Sequence, residues 1–264
     1  MSCDSYSDIW NPLVRSFEKF WPECPFPIFI CSETKDFHHS KIGNIKSERS
    51  LGWSELTIDV LRKLNTPNLI YLQEDYILKG PVDTEAVLEL VRFYQKTSAA
   101  YLRLIPMPEP DEMIAPDINL GLIYKNSLYR TSLQAAIWNR EVFLELLQPG
   151  ESGWDFERES VERAKKINRP FYSVASNSGM DNINHHRYPL DYYATGVLQG
   201  KWQKEAIKIL SEAGIEIDTK KRGVLTRWDF YFYHQKKRPN RVWFKMLNWL
   251  DQKVFNRKVS PRKF

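Results

Sequence analysis

Short apolar runs bounded by turn-forming residues recur along the first two thirds of the chain. Runs of this length and bounded in this way are typical of buried strands. The segment "NLIYLQ", residues 68–73, is one example, and it leads directly into the acidic pair Glu74 and Asp75. The pattern predicts strands over 27–32, 68–73, 99–106 and 118–124, with 132–138 as a further strand or the end of one.

Apolar residues at helical spacing fill the intervals between these runs. They predict helices over 53–64, with Ser54 as N-cap, over 83–96, and over 140–147, with Asn139 as N-cap. Strands that alternate with helices predict an α/β fold, in which a sheet is flanked by helices on both faces.

Composition places the chain among compact cytoplasmic proteins. Its 264 residues are 42% hydrophobic and 27% charged, enough to build a large core. Three cysteines without a Cys-x-x-Cys pair favour a reducing compartment over a disulfide framework. The opening "MSCDSYSDIW" has neither the basic nor the apolar region of a secretory signal, so we expect a cytoplasmic location.

Charge is distributed unevenly along the chain. The whole chain carries +5, but residues 236–264 hold ten Lys and Arg residues against Asp251, a local charge of +9, which leaves −4 elsewhere. Within 241–255 the apolar residues follow a helical spacing. A basic amphipathic helix is typical of a membrane-surface anchor, and a helix docked on the domain is the alternative. Because the body is acidic, we expect no nucleic-acid partner.

Glu74 and Asp75 follow the predicted strand 68–73, and ligands of open α/β sheets bind beyond the carboxyl ends of strands. Two carboxylates there could hold a divalent cation or orient a sugar. They could also be solvated acids at the end of a strand. Adjacent strand residues face opposite sides, which favours one direct ligand, and we expect Asp75.

A second acidic cluster begins after the Pro-Gly turn at 149–150. It contains Glu151, Asp155 and Glu157, beside Trp154. A carboxylate here could accept a proton from a sugar hydroxyl while the indole of Trp154 packs on the sugar face. The alternative is a helix capping box formed by Ser152 and Asp155, with no catalytic role.

These segments together resemble a family of bacterial glycosyltransferases with the GT-A fold, associated with lipopolysaccharide and capsule synthesis. The resemblance covers about residues 2–225 and is strongest in "QEDYIL" and in "SLQAAIW" followed by "ESGWDFE". It implies a GT-A-like, Rossmann-like mixed sheet. Together with the charge pattern, it predicts one domain over 1–235 followed by the basic amphipathic tail 236–264. It also implies a nucleotide-sugar donor and a glycan or lipid-linked acceptor.

The resemblance also assigns roles to residues. Asp75 and Glu74 stand in the place of the family's metal-binding acids and would hold Mn²⁺ or Mg²⁺; action without metal is the alternative. An acid of "WDFE" would be the catalytic base. Our order of preference is Asp155, then Glu157, then Glu151. Asp4 would contact the nucleotide base.

Four further positions have both a functional and a structural interpretation. Arg103 could reach a donor phosphate or form a buried ion pair, and Trp53 could stack near the donor or belong to the core. Gln134 could bind an acceptor sugar or satisfy a backbone group. The pair His185 and His186 could supply a late metal or phosphate ligand or lie on the surface.

The sequence therefore predicts an inverting glycosyltransferase at the cytoplasmic face of the membrane. A non-catalytic glycan- or membrane-binding protein on the same fold is the alternative. A nucleotidyltransferase is a further possibility, but the chain has no Gly-rich phosphate loop to favour it.

Overall fold

The computed structural model describes residues 1–176, 188–226 and 229. Helices and strands alternate along this part of the chain. The helices are α1 (Ser7–Phe20), α2 (Trp53–Lys63), α3 (Thr84–Lys96), α4 (Arg140–Leu146), α5 (Gly153–Ala164) and α6 (Lys204–Glu212). The strands are β1 (Ile28–Ser32), β2 (Ile42–Lys46), β3 (Asn68–Tyr71), β4 (Ile77–Leu78), β5 (Tyr101–Arg103), β6 (Glu112–Ala115), β7 (Leu120–Leu122), β8 (Ala136–Asn139), β9 (Phe171–Val174), β10 (Tyr192–Tyr193), β11 (Val197–Leu198) and β12 (Lys201–Trp202).

The central sheet has six strands in the order β3-β8-β5-β9-β7-β6. Strands β5 and β9 pair in parallel, and the other neighbours are antiparallel. The predicted class, an α/β fold with a mixed sheet flanked by helices, is confirmed. Strands β3, β5 and β9 run in the same direction, so their carboxyl ends share one edge of the sheet.

The first two residues of the chain connect this sheet to a second one. Strands β1 and β2 form a separate parallel pair. The Met1 amino group donates to the Leu72 carbonyl at 2.6 Å, and the Ser2 N–H donates to the Cys31 carbonyl at 2.9 Å. Met1 and Ser2 therefore lie between β1 and the residue that follows β3.

Alternate residues of the central strands pack on opposite faces of the sheet. In β8, Ile137 joins the core that contains Trp10 of α1 and Leu90 of α3. Its neighbour Trp138 joins the other core, where it stacks on Phe143 of α4 at 4.4 Å between ring centroids. A one-residue shift of register would exchange these two sets, so the packing determines the register.

Several predicted boundaries differ from the observed ones. The strand predicted over 132–138 begins only at Ala136, which places Gln134 in the preceding loop. The prediction of Ser54 as N-cap is wrong. Since α2 begins at Trp53, Gly52 is the N-cap and Ser54 lies buried in the first turn. Asn139 is confirmed as the N-cap of α4, since its side chain accepts the Val142 N–H.

Two parts of the sequence prediction lie outside the described residues. One is the basic segment 236–264, together with the proposed domain boundary before it, and the other is the pair His185 and His186. None of the helices in the described part of the chain combines the length and the apolar character needed to cross a membrane.

Candidate functional site

Glu74 and Asp75 lie in a turn between β3 and β4, at the edge of the sheet where β3, β5 and β9 end. The turn is closed by the Tyr76 N–H, which donates to the Gln73 carbonyl at 3.3 Å. Since these acids are in a turn, the alternation rule for strands does not decide which of them faces a ligand. The predicted position of the two acids beyond the end of β3 agrees with the structure. The choice of Asp75 as the one direct ligand, which relied on the alternation of side chains along a strand, loses that support.

Burial disfavours the charge on both carboxylates. It raises the pKa of Asp75 to about 6, although the Val197 N–H, 3.3 Å from Oδ2, stabilises the ionised form. Burial, followed by the charge of Asp75, raises the pKa of Glu74 to about 7. The Met1 amino group and Arg222 act in the opposite direction on Glu74. The described residues form no ion pair with either acid.

The backbone approaches Asp75 closely at Gly196. The Gly196 N–H donates to the Asp75 carbonyl at 2.9 Å, and a Cβ at this glycine would lie 2.8 Å from the same oxygen. A side chain at position 196 would therefore displace the turn. Glycine at this position allows the segment 196–197 to pack against Asp75.

The chemistry of the two acids fits a divalent cation. Mg²⁺ and Mn²⁺ take hard oxygen ligands, and such ions are often bound by one or two carboxylates together with phosphate oxygens and water. Over residues 1–176, 188–226 and 229 there is no group of three or more metal-ligating side chains. Asp75 and Glu74 could therefore hold an ion that takes its remaining ligands from a bound phosphate.

The loop 132–135, which precedes β8, is hydrogen-bonded to Tyr76, the residue that follows the acidic turn. Its backbone is held from several sides by tyrosine hydroxyls. Tyr76 Oη donates to the Leu133 carbonyl at 2.8 Å, and Tyr101 Oη donates to the Ser132 carbonyl at 3.1 Å. Tyr192 Oη accepts the Ala135 N–H at 2.9 Å. These three hydrogen bonds hold the backbone of the loop in place.

Glu157 of α5 binds the same loop. Its Oε1 accepts hydrogen bonds from Ser132 Oγ at 3.0 Å and from the Leu133 N–H at 2.8 Å. Burial, and then the charges of Glu74 and Glu157, raise the pKa of the Tyr71 hydroxyl. Both acidic segments, "QEDY" and "WDFE", therefore lie close enough to act on one buried tyrosine.

Trp53 packs against Tyr71 and Phe156 rather than forming an open stacking surface. Its Nε1 donates to Tyr71 Oη at 3.3 Å, and its ring lies 5.5 Å from that of Phe156 between centroids. The indole is partly buried. These contacts correspond to the core interpretation, next to the site.

Asp155 forms the capping box that the sequence offered as the alternative. Its carboxylate accepts the Ser152 N–H at 3.1 Å and Ser152 Oγ at 2.6 Å, and it also pairs with Arg158. The bonds from Ser152, and to a lesser extent the charge of Arg158, hold its pKa below the ordinary value. Trp154, in the same turn, is 61% exposed. Asp155 therefore stabilises the start of α5 and is a weak base.

Glu151 is engaged in a partly buried ion pair. Both of its oxygens accept hydrogen bonds from Arg163 at 2.8 Å, and Arg163 Nε also donates to the Leu146 carbonyl. Glu151 thus connects the turn before α5 to the end of α4. This role is structural and leaves neither oxygen without a strong partner.

Replacing Glu151 with Gln is expected to lower the free energy of unfolding by about 2 kcal/mol, because it leaves the Arg163 guanidinium of this partly buried pair without its counter-charge. Urea denaturation would measure this loss. Glu162→Gln is the matched control: its pair with Lys165 is exposed, so we expect a change below about 0.5 kcal/mol. Equal losses in the two variants would contradict the structural role of Glu151.

Two residues predicted to bind the donor have structural roles instead. Arg103 has no exposed surface, and its guanidinium donates to Ser173 Oγ and to the carbonyls of Tyr129 and Pro108. Arg103 therefore connects β5 to its neighbours inside the core. Its hydrogen-bond partners are neutral, so the alternative of a buried ion pair is not what the structure shows. Asp4 binds the loop after β1. Partial burial opposes its ionisation, but hydrogen bonds from Thr34 and Lys35 hold its pKa below the ordinary value.

Three further residues at the site have no functional signal in the sequence pattern. Tyr71 and Tyr192 look like ordinary core tyrosines in the pattern of apolar positions. Arg222 comes from a distant turn, where it pairs with Asp8 at 2.7 Å and lies 4.0 Å from the centre of the Tyr6 ring. Its charge lowers the pKa of Glu74 against the larger effect of burial. Tyr71 lies near the acids because β3 leads into their turn, whereas Tyr192 and Arg222 are brought to the site only by the fold.

Comparisons with known proteins identify structural neighbours of low similarity. No protein-family model and no curated protein sequence matches the chain. The structure is similar to crystal structures of S. aureus TarS 1–349. The complex with UDP-GlcNAc is 12% identical in sequence, has a TM-score of 0.45 and covers 68% of this chain. The complex with UDP is 13% identical, has a TM-score of 0.48 and covers 84% of this chain. The matches span 58% and 66% of those TarS chains.

Proposed function

We propose that this protein is a glycosyltransferase that moves a sugar from a nucleotide-sugar donor to a glycan or lipid-linked acceptor. One observation carries the proposal: Glu74 and Asp75 are adjacent, disfavoured as anions, and have no ion-pair partner among the described residues. Two adjacent acids without a counter-charge are suited to bind a divalent cation, which would favour their ionised forms and could also bind the oxygens of a diphosphate. Mn²⁺ or Mg²⁺ bound there would neutralise the charge that develops on the leaving diphosphate.

For the catalytic base we propose Glu157, in an inverting mechanism. Its orientation is held by the loop 132–135, and its charge acts on the same tyrosine as that of Glu74. Asp155, our first choice from the sequence, is already committed to the capping box and carries a lowered pKa. A base with a low pKa has little tendency to accept the proton of a sugar hydroxyl.

The acceptor and the location are part of the same proposal. The sequence resemblance to lipopolysaccharide and capsule transferases supports an acceptor in cell-surface polysaccharide synthesis. The charge of +9 over residues 236–264 supports attraction to an anionic membrane surface at the cytoplasmic face.

A thermal-shift screen of UDP-, GDP- and dTDP-sugars, each with and without Mn²⁺, tests the proposal. A ligand at a hundred times its Kd adds about 2.7 kcal/mol to the free energy of unfolding. We expect one nucleotide class to stabilise the protein, and to do so only with metal. No stabilisation by any nucleotide, together with binding to glycans or vesicles, would instead favour the non-catalytic alternative.

A further inference from the structure

A continuous chain of hydrogen bonds leads from the backbone of the loop 132–135 to the side chain of Gln134. The Ala135 N–H donates to Tyr192 Oη at 2.9 Å, and Tyr192 Oη lies 2.8 Å from Gln134 Oε1. The Gln134 N–H donates to Ser132 Oγ at 3.2 Å, which holds the backbone of this residue. Gln134 is partly exposed, whereas Tyr192 is 2% exposed.

The direction of this chain follows from its first member. A backbone N–H can only donate, so the Tyr192 oxygen must accept from Ala135. The hydroxyl proton of Tyr192 then needs a partner of its own, because buried donors are rarely left unpaired. Gln134 Oε1 is that partner. The amide of Gln134 is consequently oriented with its oxygen towards Tyr192.

This orientation determines what Gln134 can offer to a ligand. With Oε1 occupied, the amide presents Nε2, which can only donate. Across residues 1–176, 188–226 and 229, Nε2 has no hydrogen-bond partner. The partner that fits is an oxygen with a free lone pair, such as a sugar hydroxyl or ring oxygen.

The tyrosine also connects Gln134 to the acidic turn. The Tyr192 ring stacks on that of Tyr76 at 4.8 Å between centroids, and Tyr76 directly follows Asp75. Strand β10, which contains Tyr192, pairs with β4 immediately beyond the same turn. Gln134 is therefore connected to the acidic turn through the stacked rings of Tyr192 and Tyr76.

We propose that Tyr192 is a positioning residue that orients the Gln134 amide, so that Nε2 donates a hydrogen bond to an oxygen of the bound sugar. The role of Gln134 rests on the proposed glycosyltransferase function. The orientation of its amide by Tyr192 does not. The sugar can be that of the donor or of the acceptor, and the ligand measurements below separate them.

The first experiment needs no ligand. The side-chain amide signals of Gln134 are assigned in ¹⁵N-labelled full-length protein by their loss in Gln134→Leu. Tyr192→Phe keeps the ring and its stacking on Tyr76 but removes the hydroxyl. We expect the Gln134 signals to shift in Tyr192→Phe. Tyr193→Phe is the matched control, because the Tyr193 hydroxyl also bonds a glutamine Oε1, that of Gln203 at 3.2 Å.

Tyr193→Phe should leave the Gln134 signals where they are in the wild type. Unchanged signals in Tyr192→Phe, or equal shifts in both variants, would overturn the positioning role. Because this experiment uses the protein alone, its outcome is independent of whether the chain is a glycosyltransferase.

The second experiment uses the nucleotide-sugar that stabilises the wild type and the matching nucleoside diphosphate without sugar. In Gln134→Leu and Tyr192→Phe we expect the Kd of the nucleotide-sugar to rise about three- to tenfold, as for one lost neutral hydrogen bond. The Kd of the diphosphate should stay within about twofold of the wild-type value, because it has no sugar to contact.

Other outcomes separate the two sources of the sugar. An unchanged nucleotide-sugar Kd with a raised KM for the acceptor assigns Gln134 to the acceptor sugar. No change in either constant overturns the sugar contact. A wild type that binds neither nucleotide contradicts the proposed function, and the amide signals still decide the role of Tyr192.

Discussion

Asp75→Asn is expected to lower kcat/KM for the donor by about a hundred- to a thousandfold, the range typical of removing one group that stabilises developing charge. The substitution removes a carboxylate from the acidic turn but keeps an oxygen that can accept the Val197 N–H. The fold should therefore survive. Steady-state kinetics with Mn²⁺, and the metal-dependent thermal shift with nucleotide, would both measure the loss.

Asp191→Asn is the matched control for this variant. The Asp191 carboxylate pairs with Lys79 at 2.7 Å, outside the acidic turn. We expect its kcat/KM to remain within about threefold of the wild-type value, since surface ion pairs contribute little. Wild-type turnover in Asp75→Asn would contradict the assignment of this acid to the donor site.

Asp75→Asn should also reveal how proton binding by Glu74 and Asp75 is linked to the stability of the fold. Folded-state pKa values of about 6 for Asp75 and about 7 for Glu74 lie above the ordinary values of carboxyl groups, which are about 4. At pH values between about 4 and about 7, the folded protein therefore binds more protons than the unfolded chain. Without metal, the contribution of this pair to the free energy of unfolding therefore falls as the pH rises from about 4 to about 7.

Asp75→Asn removes one of these charges, so without metal it should be more stable than the wild type at pH 8, by roughly 2 kcal/mol, with little difference at pH 4. Urea denaturation at the two pH values would measure this. Equal destabilisation at both pH values would argue against a buried carboxylate disfavoured as an anion. A variant that is more stable but inactive would identify a site where charge is retained for function.

Glu157→Gln is expected to lower kcat by about a hundred- to ten-thousandfold, the usual range for a lost general base. Gln retains an oxygen that can accept from Ser132 and Leu133, so the loop 132–135 should remain in place. The Kd of the donor should change little, because the base acts on the acceptor hydroxyl. Single-turnover kinetics and donor titration would separate the two effects.

Asp155→Asn provides the contrast. It removes the charge from the capping box of α5 and is expected to lower the melting temperature slightly while kcat stays near the wild-type value. If Asp155→Asn abolished turnover and Glu157→Gln did not, the base would be Asp155, as the sequence first indicated.

The sequence predicted elements wherever a local pattern carries the information. The apolar period identified the helices that became α2, α3 and α4, and the strand that became β3. Asn139 was recognisable as an N-cap because a capping side chain bonds to a backbone N–H only a few residues away. The two acids after β3 were found for the same reason, since their position depends on one short strand.

The candidate site was predictable only in part. The residue types at 151–157 fit both a catalytic base and a helix capping box, so the sequence does not distinguish these two roles. Which interpretation holds at each position depends on neighbours such as Arg158, Arg163 and the loop 132–135. Arg103 shows the same limit: its charge suggested a ligand contact, while its burial depends on β5 lying in the middle of the sheet.

By itself, the sequence determined the α/β alternation, the N-cap of α4 and the acidic pair after β3, because these features arise from contacts between residues close together in the chain. Only the tertiary structure decided that Glu157 lies against the loop 132–135, that Tyr192 orients Gln134, and that Arg222 acts on Glu74. Those relations join residues far apart in sequence, and they depend on strand order, register and side-chain packing, which no local pattern encodes.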